Sequence, residues 1–542
     1  MRRVTRVLSL ALLGLFLLVP VAGSQPANMD EWCPDPDPEQ DSLRYFRSLS
    51  LDLRGYVPSV EEYAVVEEAG EVPESLIDEW LHSDDFLERA ARKHRDLLWN
   101  NISNFGYLGN PTQFRTSGDL MWRRDVAINY RGSLANLDPN GDGRNELRPE
   151  VPCKAEPAEW DEDGNLIFED MGDGTQREGY VAVTDAYFDG GDPTTYYVCA
   201  ADAQDNMVSP SGTDCGSRQG WNDPECGCGP NLRWCRYGNS EVPVRRAFGA
   251  QVDQKVKQVI GQDRPYTDLF LDNTIWMNGP LAYFWKHQAQ LSTTILLTPK
   301  PVPVDDIPEM DYQDEDTWVP VQGTSHHAGV LTSPAYLVRF MSDRGRANRF
   351  YNAFLCQPFQ PPEVGLPAAD DSAALVLDLQ QRDGCKYCHS TLEPVAAHWG
   401  RWISVGGAYL DTDEYPAFSQ ECYDCAINGG CNSVCRAYYV TSAFNEQEEP
   451  YLGWLAPYKF RRDDHKANVE DGPRRLVETT VEDGRLTNCT VRTAAEWMVG
   501  RTMYEFEEDW LVDLQTDFVD SGYSYRELVR GVVTSPVYRR VR

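Results

Sequence analysis

Between Ser42 and Asn101 apolar residues keep the three- and four-residue spacing of helices lying on a core. In "ESLIDEWLHSDDFLERAARKHRDLLWNN" Leu76, Trp80, Leu87, Leu97 and Leu98 share one face. In "SVEEYAVVEEAG" Ser59 and Glu62 have the spacing of a capping box, where each side chain satisfies the other's free backbone N–H. From about Gly132 to Ser240 the helical rhythm stops. Gly, Asp and Pro dominate there, and "EWDEDGNLIFED" predicts a short hairpin turning at Asp163-Gly164. Helical spacing resumes with "VRRAFGAQVDQKVKQVIG" from Val244. It continues in "LVRFMSDRGRANRFYNAFLC", which predicts a helix closing at Cys356 before "QPFQPP". "DDSAALVLDLQQRDG" predicts a short helix ended by Gly384. A second irregular stretch covers about Gly406 to Arg461, and the C-terminus is helical again. Thr493 with Glu496 and Ser524 with Glu527 repeat the capping-box spacing.

Composition sharpens this picture. Among 542 residues, 85 acidic and 50 basic side chains give a formal net charge of −35. That charge repels phosphate backbones, so the expectation is no nucleic-acid partner. Arg2, Arg3 and Arg6 precede the apolar run "VLSLALLGLFLLVPV", and Ala22, Gly23 and Ser24 follow it. This predicts a cleaved signal peptide over 1–24, with no integral membrane span after cleavage. The expected location is periplasmic, or secreted to the cell surface.

Export changes how the 15 cysteines are read, because outside the cytoplasm most pair. Cys153, Cys199, Cys215, Cys226, Cys228 and Cys235 form a set of six. Cys422, Cys425, Cys431 and Cys435 form a tight four, for which two disulfides are expected ahead of a zinc site. Cys33, Cys356 and Cys489 stand alone, and arithmetic makes Cys356 and Cys489 a candidate pair.

Cys385, Cys388 and His389 spell C-x-x-C-H in "DGCKYCHSTLEP". This is the attachment signature of a c-type haem: two thiols reach the two porphyrin vinyl groups, and the adjacent imidazole becomes the proximal iron ligand. A zinc site, a redox dithiol and a structural disulfide are the rivals. The nearest further zinc ligands, Cys422 and Cys425, lie far downstream, and no βαβ unit surrounds the motif. Haem is the reading that spacing and export favour. The sixth ligand is open among His326, His327, Met341, His398, His465, Met498 and Met503. In "LDPNGDGRNEL" Asp138, Asn140 and Asp142 alternate like the first half of a calcium loop, but position twelve is Pro149. They are candidate Ca2+ ligands, beside the plainer reading of a polar turn.

The order of these segments resembles the planctomycete-type cytochrome c family. "FRSLSLDLRGYVPSVEEY" and "LIDEWLHSDDFLERAARKHRDLLWNN" are similar to its N-terminal domain, and "DRPYTDLFLDNTIWMNGPLAYFW" to the next. "HAGVLTSPAYLVRFMSDRGRANRFYNAFLCQPFQPP" followed by "CKYCHSTLEP" resembles the haem-bearing domain. "NCTVRTAAEWMVGRTM" and "SGYSYRELVRGVVTSPVYR" resemble the C-terminal one. The family's longer "DP" segment after the haem motif survives only as Glu393-Pro394 and Gly400, and the two cysteine-rich stretches have no counterpart in it. The resemblance implies one covalent haem c on Cys385, Cys388 and His389; it implies no substrate.

The expected fold is mainly α, several helical modules around a c-type haem segment, with two disulfide-rich irregular or short-β insertions. The expected divisions are an N-terminal helical domain (42–131), an insertion (132–240), a second helical domain (241–320), a haem domain (321–405), a second insertion (406–461) and a C-terminal helical domain (462–542). The expected function is electron transfer with a redox partner protein, whose identity the sequence leaves unknown. The alternatives are a haem peroxidase or oxidase with an open distal site, and a non-catalytic surface protein with a structural haem.

Overall fold

A computed structural model describes residues 39–101, 113–123, 131, 136–137, 146–147, 151–190, 194–217, 219–220, 223–291, 302–359, 365, 376–404 and 407–540. The expected signal peptide, Cys33 and the candidate calcium ligands Asp138, Asn140 and Asp142 lie outside these residues.

The fold is mainly α with small sheets. Four helices open it: α1 (Ser42–Leu53), α2 (Val60–Ala69), α3 (Glu74–Leu81) and α4 (Asp84–Leu98). Asp41 caps α1 by accepting from the backbone of Leu43 and Arg44. Ser59 and Glu62 form the full capping box of α2, and Ser83 caps α4. The chain leaves this bundle after Asn101 and returns as α5 (Glu241–Gly261). Departure and return are adjacent: Asn100 Nδ2 donates to Gly249 O at 2.8 Å, and Arg95 Nε to Asp253 Oδ2 at 2.7 Å. The short helices α6 (Asp268–Leu271) and α7 (Gly279–Tyr283) follow, then α8 (Pro334–Arg339) and α9 (Asp343–Phe354).

The sequence predicts one helix over 337–356, and the structure breaks it at Phe340–Ser342. Buried Arg346 is the cause. Its guanidinium donates to the carbonyls of Leu337 (3.0 Å), Phe340 (2.9 Å), Trp402 (2.8 Å) and Ile403 (2.9 Å). The first two are carbonyls a continuous helix would have used internally. Ser342 then caps α9, accepting from Gly345 N at 3.0 Å.

Beyond the candidate site come α10 (Lys386–Ala397), α11 (Gln420–Asn428) and α12 (Ser433–Tyr438). The chain ends with α13 (Asp463–Glu482), α14 (Arg485–Val499), α15 (Glu508–Asp520), α16 (Tyr525–Thr534) and α17 (Pro536–Arg540). Ser524 caps α16 through Glu527 N. The expected cap at Thr493 does not form. That residue sits inside α14, which runs between left-handed Gly484 and Gly500, and its hydroxyl lies 3.8 Å from the sulfurs of Cys356 and Cys489. The first and last helices close on each other: Gln40 N donates to Arg539 O (3.1 Å) and Tyr538 OH to Asp52 Oδ2 (2.6 Å). One hydrophobic core joins these helices except α11 and α12, with Phe46, Phe86, Phe248, Trp285, Phe350 and Val529 fully buried in it; α11 and α12 pack through Cys422 and Cys435 in a second cluster with Leu410, Leu455 and Val469. Among the described residues no helix is long and apolar enough to cross a membrane.

The first insertion is built differently. Strands β1 (Phe114–Ser117), β2 (Leu120–Arg123), β7 (Tyr180–Val183) and β8 (Tyr196–Cys199) form a sheet in the order β1-β2-β8-β7, parallel only between β2 and β8. Between them, β3 (Asn136–Leu137) pairs antiparallel with β4 (Glu146–Leu147), and β5 (Glu169–Asp170) with β6 (Gln176–Arg177). The turn at Asp163-Gly164 is present, closed by a bridge between Trp160 and Leu166. Disulfides Cys153–Cys199, Cys215–Cys226 and Cys228–Cys235 staple the region. In the second insertion Cys422–Cys435 joins α11 to α12, and Cys425–Cys431 ties α11 to the loop between them. Cys356 is bonded to Cys489. In the body, β9 (Thr274–Met277) pairs with β10 (Val319–Gln322).

Candidate functional site

The segment before the C-x-x-C-H motif is not the helix the sequence predicts. Residues 376–378 are irregular, 379–384 form turns, and 370–375 lie outside the described residues. Asp378 diverts the backbone: its carboxylate accepts from Gln380 N (2.9 Å) while its carbonyl accepts from Gln381 N (3.0 Å) and Arg382 N (2.9 Å). Gly384, at φ +78°, then turns the chain into α10.

Cys385 stands at the N-terminus of α10. Its carbonyl accepts from Cys388 N (3.2 Å) and His389 N (3.0 Å), so helical spacing places both sulfurs and the imidazole within the first turn. Both cysteines are half-buried, and neither is in a disulfide. The other twelve described cysteines all are.

His389 is fixed from one side. Its Nδ1–H donates to Glu393 Oε1 at 2.6 Å, one helical turn further on. The Glu393 side chain is only 5% exposed. Arg344, from the first turn of α9, donates through Nε to Oε1 (2.5 Å) and through Nη2 to Oε2 (3.2 Å). Arg461 donates to Oε2 and, at 2.7 Å, to the Glu393 carbonyl, while its other arm reaches Asp343 Oδ2 at 3.1 Å. Burial pushes the Glu393 carboxyl up, but the two guanidinium groups, with His389, outweigh it and hold the group below the usual carboxylate range. Nε2 of His389 has no protein hydrogen-bond partner among the described residues. A ring that donates from Nδ1 keeps its lone pair on Nε2, the form that binds a metal.

The other candidate iron ligands are dispersed, except His465, which lies close enough to Glu393 and Arg461 for their charges to act on it. His398 is buried, and its Nδ1–H donates to Gly472 O at 2.8 Å. His327 is buried against the Trp402 ring, 3.2 Å from Thr332 Oγ1. His326 stacks on Tyr409 with ring centroids 4.1 Å apart, Met498 is fully buried, and Met503 packs against the core. His465 is buried, with Nε2 receiving a hydrogen bond from Arg462 at 2.8 Å and Nδ1 without a protein partner. Met341 is exposed, next to the Ser342 cap of the helix that carries Arg344. The four cysteines weighed as a zinc site are consumed in disulfides. No cluster of three or more metal-ligating side chains occurs among the described residues.

Arg344, Arg461 and Asp343 were not visible as site residues in the sequence. Glu393 carried a signal, its four-residue offset from His389 on a helix; Arg461 comes from 68 positions further along and carried none. No protein-family model, curated protein or solved structure matches this chain.

Proposed function

We propose that this chain is an exported protein similar to the planctomycete-type cytochromes c, carrying one covalent haem c and exchanging single electrons with a redox partner protein. The observation that carries this reading is the contrast among cysteines. Twelve of those described are locked in disulfides, while Cys385 and Cys388, one helical turn apart, are not. The donor set suits the group. Each thiol would add its S–H across one porphyrin vinyl bond, forming a thioether with no change of oxidant balance. His389 would bind through Nε2, the nitrogen that Glu393 leaves available. When bound, haem supplies a one-electron Fe(III)/Fe(II) couple, which the paired disulfides and carboxylates of the chain lack. The six disulfides are compatible with a periplasmic or cell-surface location.

The test is expression of the exported chain with a haem-attachment system, followed by intact-mass measurement and absorption spectra with and without dithionite. The expected result is one haem per chain, resistant to acid extraction, and lost in the Cys385→Ser/Cys388→Ser variant. Wild-type protein without covalent haem overturns the proposal. The dispersal of the sixth-ligand candidates other than His465 favours one second reading, a peroxidase or oxidase with an open position. A spectrum that shifts with cyanide supports that reading; an unresponsive one supports electron transfer.

A further inference from the structure

A histidine that binds a metal through one ring nitrogen is governed by what holds the other. A neutral carbonyl at Nδ1–H orients the ring. A carboxylate also draws the proton toward itself, leaving negative charge on the ring and strengthening the donor nitrogen opposite. Glu393 is such a carboxylate, and its placement is over-determined. Its side chain is buried, it accepts from His389 and two arginines, and its own carbonyl is held by Arg461. The next carbonyl, of Pro394, accepts from Asn468 Nδ2 at 3.0 Å. These bonds come from α9, the loop before α13 and α13 itself, so Glu393 is no casual surface partner of its helix neighbour.

Resting on the haem reading of His389, we infer that Glu393 is a positioning residue that fixes the Nδ1-protonated ring and lowers the reduction potential of iron held at Nε2, and that Arg344 limits this effect. The limit follows from geometry: Arg344 Nε donates to the same Oε1 that accepts from His389. Charge drawn by the guanidinium is withheld from the imidazole. Stronger donation by the ring stabilises ferric over ferrous iron, so the potential falls when the carboxylate acts on the ring alone.

The full-length haem-loaded chain and three variants test this, by spectroelectrochemical potential and by the proton resonance of His389 Nδ1–H. Glu393→Gln keeps an acceptor without charge, so the potential rises and the resonance moves upfield. Glu393→Asp keeps the charge but is one methylene short of Nδ1, so the potential moves in the same direction as in Glu393→Gln. Arg344→Gln frees Oε1 for the ring, so the potential falls and the resonance moves downfield. A Glu393→Asp protein at wild-type potential overturns the inference, because it shows that charge acts through space alone. Should the Glu393 variants not fold, Arg344→Gln decides alone, since Arg344 is half-exposed: an unmoved resonance overturns the inference. A wild type with no haem overturns both this inference and the proposed function. A wild type with haem whose Nδ1–H and potential ignore all three changes overturns this inference only.

Discussion

The helical body and the first insertion hold themselves together by different means. The body buries one continuous core that runs from α1 to α17, and Cys356–Cys489 is the single disulfide within it among the described residues. The insertion has three small apolar clusters, each containing half-cystines, and three disulfides across short loops. Its other anchor is buried charge: Asp202 accepts from Arg123 Nε (3.0 Å) and Arg131 Nη2 (2.8 Å). Arg131 Nε also approaches Glu178 Oε1 to 3.0 Å, within ion-pair range but at an angle that makes no hydrogen bond. A region too thin to bury enough carbon is held by cross-links and ion pairs instead. The difference teaches how to read cysteine in this chain. In the first insertion, where cysteine replaces a core, it is disulfide-bonded and buried; Cys385 and Cys388, which are in no disulfide, lie on a helix that already has a core beneath it, through Val395 and Ala396.

The largest expected effect comes from striking the body's core. Trp399 is fully buried, packs against Tyr336 and Phe350, and donates through Nε1 to Leu331 O at 3.1 Å. Trp399→Ala should cost about 3–5 kcal/mol in denaturant unfolding followed by far-UV circular dichroism. Hydrogen-exchange protection of β7 and β8 should be unchanged; its loss would show that the two regions unfold as one.

Next in size is the converse. Cys153→Ser/Cys199→Ser removes the staple across the sheet, with a sequence separation of 46. It should destabilise the insertion by about 2–4 kcal/mol, read as faster proteolysis within 151–240, while the helical transition stays where it was. A downward shift of that transition would break the comparison.

Acidity separates the regions by sign. His94, buried and bonded to Ala90 O (2.7 Å) and Tyr266 OH (2.9 Å), is held neutral by burial, down to about 4 from 6.5. Burial does the same to His398, to about 4. Between pH 6.5 and 4 the unfolded chain binds protons here that the native body does not, so the body loses stability as pH falls through that window. Glu178 runs the other way. Burial raises it to about 7, Arg131 offsets this in part and Asp202 adds to it. From pH 4.5 to 7 the native insertion keeps a proton that the unfolded chain has released, so the insertion loses stability as pH rises. Each group's effect is on the order of 3 kcal/mol. Protection factors of core amides, corrected for the intrinsic pH dependence of exchange and measured at several pH values, should show opposite slopes in α4 and β8; equal slopes would contradict the assignment.

The smallest effect is a control inside the body. Ser59→Ala opens the capping box of α2 and should cost about 1 kcal/mol, with no change in proteolysis of the insertion.

What the sequence made legible was local. Ser59 with Glu62, the apolar positions Trp80 and Leu98 and the turn at Asp163-Gly164 each depend on neighbours a few positions away; the box and the turn are present, and Trp80 and Leu98 both enter the core, though from two helices, α3 and α4, that Ser83 separates. Thr493 with Glu496 has the same spacing as Ser59 with Glu62 and caps nothing, because the signal carries no information about whether a helix already runs through it. The break before α9 was hidden for a related reason: Arg346 takes carbonyls from Leu337 and Phe340 only because Trp402 and Ile403 arrive beside it. At the candidate site, His389 was named by its motif, while Glu393 entered only as the remnant of the family's segment after that motif, although its four-residue offset from His389 was there to be read. The arginines that tune the carboxylate were invisible, since Arg344 and Arg461 meet there only once α9, α10 and the chain before α13 have packed.

The bond between Cys356 and Cys489 has a topological consequence. With a sequence separation of 133, it closes a covalent ring of main chain that contains the whole C-x-x-C-H helix, both arms of the second insertion and all of α13. Hydrolysis of any one peptide bond inside that ring yields a two-ended chain still joined through sulfur. A protease that nicks the segment leading to Cys385 therefore releases no fragment. The cut molecule migrates as one species on a non-reducing gel, and it separates into two pieces only when thiol is added.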